Sequence, residues 1–78
     1  MKKDWNRFIS SDPKIMVGKP VINGTRITVE LILEKLSEGE SVEQIPESHP
    51  HISKKAIMAC LAFGADSLKN ETAFAFSE

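Results

Sequence analysis

Seventy-eight residues hold one domain, and a domain of that size buries only about 60% of the surface its unfolded chain exposes. A single cysteine, Cys60, excludes an internal disulfide, and with His49 and His51 as the only other soft ligands a four-ligand zinc site is short of donors. A formal net charge of −1 excludes a uniformly basic nucleic-acid-binding surface.

The charge is nevertheless unevenly placed. Residues 1–27 carry six basic and two acidic side chains, residues 28–50 one basic and six acidic, and residues 51–78 are balanced. One reading is a molecule with a basic face; the plainer one is ordinary surface patchwork. No run approaches the roughly 20 apolar residues of a membrane span. No apolar stretch follows the basic start Met1-Lys2-Lys3, so a signal peptide is not expected. The lone cysteine suits a reducing compartment, and the cytoplasm is the expected location. With disulfide and metal set aside, the reinforcement that a small core needs is expected from an oligomer or a partner.

In chain order, residues 1–7 are polar around Trp5 and read as an N-terminal arm, with the domain proper at residues 8–69 and a tail at 70–78. Phe8-Ile9-Ser10 suits a very short strand. Ser11-Asp12-Pro13 is a turn, because proline fixes its own φ and extends the residue before it. Asn23-Gly24 between β-branched pairs predicts a hairpin on a type I′ turn, with arms Val21–Ile22 and Thr25–Ile27.

Thr28 is the expected N-cap of a first helix, and Glu30 suits its dipole. Val29, Ile32, Leu33 and Leu36 make one buried stripe, Glu30, Glu34 and Glu38 a solvated acidic one, and Gly39 the C-terminal cap. Ser41-Val42-Glu43-Gln44 spells a capping box opening a short second helix, into which Pro46 falls. His49-Pro50-His51 turns out of it. Ser53 caps a third helix from Lys54 to about Lys69, with Ile57, Leu61, Ala65 and Leu68 expected on its core face. Met58, Ala59, Cys60, Ala62 and Phe63 leave its other sides unusually apolar, which calls for a second burying surface, most simply another subunit.

Few residues suggest chemistry. Gly18-Lys19-Pro20 lacks the spacing of a phosphate loop and precedes a strand. His49 and His51 have neither nucleophile nor orienting acid beside them in sequence and read as turn-lining side chains. Cys60 sits mid-helix as a small hydrophobe. No catalytic residues, cofactor, metal or small-molecule substrate are therefore expected, and the function is expected to be binding. Residues 41–69 have the layout of a helix-turn-helix, whose second helix would offer Ser53, Lys54 and Lys55 to DNA. Lysines at a helix N-terminus oppose its dipole, which phosphate contact would explain; solvated surface is the rival reading. Arg26 is placed either for DNA backbone contact or for a salt bridge to Glu30. Met58, Cys60, Leu61 and Phe63 are expected at a homodimer interface.

The run Gly18-Lys19-Pro20-Val21-Ile22-Asn23-Gly24-Thr25-Arg26-Ile27-Thr28-Val29, with Ile9, Pro13 and Ile15 before it, resembles the pattern of the domain-of-unknown-function family 433. The likeness extends over about residues 8–68, through Gly39-Glu40-Ser41 and His49-Pro50-His51-Ile52. It implies a mainly α fold, a short N-terminal β-hairpin with a three-helix, homeodomain-like helix-turn-helix, often dimeric. For some members it also implies an antitoxin that neutralises a PIN-like ribonuclease toxin and binds operator DNA. The alternative is a protein-interaction domain without DNA binding. This chain departs from the pattern at Pro46, where a helix former is usual. The tail carries no Lys or Arg after Lys69, so no basic residue there can enter a toxin's acidic site. Docking of Phe74 and Phe76 is the expected substitute.

Overall fold

The computed structural model describes residues 4–69. Its elements are β1 (Ile9–Ser10), β2 (Val21–Ile22), α1 (Val29–Ser37), α2 (Gln44–Ser48) and α3 (Lys54–Lys69), with single 3-10 turns at Asp4–Arg7 and Met16–Gly18. The fold is mainly α, with one two-stranded antiparallel sheet near the N-terminus.

The sheet forms differently from the expected hairpin. β2 pairs with β1, Ile9 opposite Ile22 and Ser10 opposite Val21. Residues 25–27 form no strand, although the Ile22 amide donates to the Ile27 carbonyl (2.9 Å) and Val21 bridges Thr28. The turn itself is not type I′. Gly24 alone takes positive φ (+81°), Asn23 does not, and the Thr25 amide donates to the Ile22 carbonyl at 3.0 Å, the pattern of a type II turn. Asn23 is held otherwise: its amide donates to the Phe8 carbonyl (2.7 Å) and its side chain to the Arg7 carbonyl (3.0 Å). The Thr25 hydroxyl closes the loop, donating to the Ile22 carbonyl and accepting from the Ile27 amide.

The helices begin and end where short-range chemistry directs. Thr28 Oγ1 accepts from the Leu31 amide at 3.0 Å. At the far end of α1, Gly39 (φ +105°) donates to the Leu36 carbonyl and Glu40 to that of Lys35, the paired bonds of a Schellman cap. The capping box forms in both directions: the Gln44 amide donates to Ser41 Oγ (3.0 Å), and the Ser41 amide to Gln44 Oε1 (2.9 Å). Pro46 then falls in the first turn of the five-residue α2, where a missing N–H costs little. Ser53 Oγ accepts from the Ala56 amide at 3.1 Å and opens α3.

The core lies where α1, α2 and α3 meet the sheet. Ile32, Ile45, Ile52, Ile57 and Cys60 are fully buried, with Ile9, Ile22, Val29, Ala56 and Ala59 around them. Each such isoleucine contributes roughly 1.5–3 kcal/mol by leaving water. Asp4–Arg7 also belongs to this body rather than to an arm. Trp5 Nε1 donates to Asp66 Oδ2 of α3 at 2.6 Å, and its ring meets Phe63 edge-on, centroids 4.8 Å apart at 88°.

Candidate protein-binding groove between α1 and α3

α3 has two apolar faces, and the one expected inside is largely outside. Ala56, Ile57, Ala59 and Cys60 face the core, with Phe63 packed against it. Leu61 (40% exposed) and Leu68 (63%) face solvent with Met58 (51%), Ala62 and Ala65. Of the predicted core stripe only Ile57 is buried. Two apolar stripes compete for the core, and the smaller side chains win. Gly64 lies under Leu33 of α1, where a Cβ would meet Leu33 Cδ1 at 3.4 Å, an ordinary contact with the end of a flexible side chain.

The losing stripe is regular. Met58, Leu61, Ala65 and Leu68 step by three, four and three residues, the a/d spacing of a coiled-coil seam. It borders a groove of about 730 Å³ between α3 and α1. Leu33, Leu61, Phe63, Gly64, Ala65 and Leu68 give the groove its apolar surface, and Lys19, Glu30 and Glu34 stand on its α1 side. Glu30 is held by Lys19, Nζ to Oε1 3.1 Å, and not by Arg26, for which that salt bridge is one of the two roles open from the sequence.

Two residues expected at the subunit interface are corrected by their burial. Cys60 is fully enclosed in the core, and burial pushes its thiol pKa up to about 11, so it offers neither contact surface nor a reactive thiolate. Phe63 is half-buried under Trp5 and shows the groove only part of its ring. Met58 and Leu61 remain available, and Leu68 joins them. Its signal was the seven-residue spacing from Leu61. Phe74 and Phe76 lie outside the described residues.

The predicted DNA-contacting residues are all exposed. Ser53 is engaged as the cap of α3. Lys54 Nζ lies 3.3 Å from Glu43 Oε2, a contact that holds the Glu43 carboxyl below its ordinary range. Lys55 projects from the first turn of α3 and enters no ion pair with a described residue. Arg26 borders a hollow of about 350 Å³ with Ser10, Ile15 and Thr25. Asn23, Gly24 and Thr25 line a second hollow, of about 520 Å³, with Ser48, His49, Pro50 and His51. The turn carrying Arg26 and the turn leading into α3 are therefore neighbours. No acid lines the second hollow, so the histidines have no orienting carboxylate there. Among the described residues no helix is long and apolar enough to cross a membrane.

No solved structure matches this chain. An uncharacterized protein of Sinorhizobium fredii (strain NBRC 101917 / NGR234), y4eO, is 34% identical to it over 50 residues. That stretch is 64% of this chain and 23% of the relative, so the chain matches about a quarter of that protein's length. Residues 9–64 match the model of a family described as "Protein of unknown function (DUF433)". That stretch takes in the strands, α1, α2 and most of α3, and the chain belongs to the DUF433 family.

Proposed function

We propose that this chain acts by binding protein, in the manner of an antitoxin that holds and neutralises a PIN-like ribonuclease toxin. The observation that supports this reading is the second apolar face of α3, where Met58, Leu61 and Leu68 stand exposed beside an apolar groove. A domain with so small a core gains nothing from leaving such side chains in water unless something covers them. The toxin is the partner class that the family resemblance suggests. The test is co-expression with the product of the neighbouring reading frame. Growth arrest by that product, relieved by this chain and not by its Leu61→Glu variant, is the expected result. A neighbouring product whose effect this chain leaves unchanged would refute the antitoxin reading.

A second reading, operator binding, is favoured by the capped start of α3 and by exposed Lys55. The Lys54–Glu43 pair and the acidic middle of the chain weigh against it. If it holds, titration of the upstream DNA at several salt concentrations will show the slope flatten by about one for each of Lys54 and Lys55 changed to alanine. Equal slopes would clear both lysines.

A further inference from the structure

We propose that the apolar groove between α1 and α3 is filled by the C-terminal tail of the same chain, residues 70–78, and that a protein partner must displace this tail to bind. The second half of the proposal rests on the reading that this face binds protein, and it names what that partner competes with.

The groove suits a short apolar segment. Leu33, Leu61, Phe63, Gly64, Ala65 and Leu68 line a space of about 730 Å³, within the roughly 300–1,000 Å³ of pockets that enclose a small ligand. Gly64 and Ala65 put almost no side chain on the α3 wall, which leaves room for rings. The part of the Phe63 ring that Trp5 does not cover gives those rings an aromatic neighbour.

The tail has the matching pattern. The described residues stop at Lys69, one position past the groove residue Leu68. Beyond it, Phe74 and Phe76 are the only large apolar residues, with Ala75 between them. An extended segment places residues i and i+2 on one face, roughly 6.5–7 Å apart. The Leu61–Leu68 wall is about 10 Å long by helical rise, so it holds both rings side by side. Asn70 is the residue type that stands in for glycine where a helix ends in a left-handed turn. Residues 70–72 can thus reverse the chain and lead Phe74 back along that wall. So short a link gives the tail an effective concentration of about millimolar, which favours it over the tail of any free second chain. Met58 is outside the groove lining and 51% exposed, so it remains open as the first contact for a partner.

The test uses the full chain. Nuclear Overhauser spectra of ¹³C-labelled protein are expected to join the Phe74 and Phe76 ring protons to the methyls of Leu33, Leu61 and Leu68. In an equimolar mixture of labelled and unlabelled chains, isotope filtering should show no such signal between chains. Absence of these signals, or their appearance only between chains, overturns the proposal. Calorimetric titration with the neighbouring reading frame's product tests the displacement. Phe74→Ser/Phe76→Ser, with folding verified by circular dichroism, should bind that product about tenfold more tightly, the factor for a groove closed about nine-tenths of the time. Unchanged or weaker binding overturns the competition between tail and partner. Binding that Leu61→Glu abolishes, in a chain without the tail signals, leaves the protein-binding reading standing and the occupant wrong. A product that binds neither wild type nor variant overturns that reading and the displacement with it.

Discussion

Three successive residues, Met16, Val17 and Gly18, have φ of +49°, +48° and +84°. Glycine adopts such angles without penalty, but an L-residue pays about 1–2 kcal/mol for the close approach of its Cβ to the following carbonyl. A β-branched residue there is a true outlier. Val17 is also 87% exposed, so its side chain regains little by burial. Val17→Gly should therefore relieve the strain, offset by the roughly 0.5–1 kcal/mol that a more flexible unfolded chain costs. The net expectation is a gain of about 0.5–1 kcal/mol, or about 3–6 °C in thermal midpoint for a domain of this size. Thermal denaturation followed by circular dichroism, at one fixed protein concentration, measures it. Val17→Ala, which keeps a Cβ in the left-handed region, should recover only part of the gain. Gly18→Ala should do the opposite: its Cβ would meet nothing closer than 3.8 Å, so any loss comes from φ and not from crowding. A lower midpoint for Val17→Gly would refute the strained turn.

Three further expectations follow from single contacts. Trp5→Phe keeps a ring edge near Phe63 but removes the donor to Asp66, so it should cost about 1–2 kcal/mol in urea denaturation, whereas a free arm would give no change. Lys54 lowers the Glu43 pKa from its ordinary 4.5, so the stability of this pair is complete above that value and is lost as pH falls through the lowered one. Lys54→Ala should accordingly show a smaller fall in urea midpoint than the wild type between about pH 6 and about pH 3, and equal falls would dismiss the coupling. Cys60, with its thiol raised to about 11, should resist alkylation near neutral pH until the chain is unfolded, and rapid labelling of the native protein would contradict its burial.

The features legible from sequence are those decided within a few residues. Thr28, Gly39, the Ser41–Gln44 pair and Ser53 each satisfy backbone groups one turn away, and each does so in the structure. The strand partner of Val21–Ile22 was not legible. Asn23-Gly24 announces a turn, but the choice of Ile9–Ser10 over Thr25–Ile27 depends on Asn23 reaching the carbonyls of Arg7 and Phe8, contacts more than a dozen residues distant. Trp5 looked like part of a polar arm because its partners, Phe63 and Asp66, lie near the other end of the chain. For α3, periodicity reveals two apolar stripes without ranking them. The ranking depends on how Ile57, Ala56, Ala59 and Cys60 fit against Ile9, Ile22, Val29 and Ile32, which are tertiary contacts. The groove follows from that choice, and with it the exposure of Leu61 and Leu68, both of which periodicity places on the core face together with Ile57.

The claim on which the account depends is that the exposed face of α3 binds protein. Urea denaturation of the wild type alone and with an excess of the neighbouring reading frame's product tests it directly, because a partner that binds only the folded chain raises its apparent stability by mass action. The account predicts a midpoint that rises when that product is added, and a Leu61→Glu variant whose midpoint does not. A wild-type midpoint that the product leaves unchanged would contradict it.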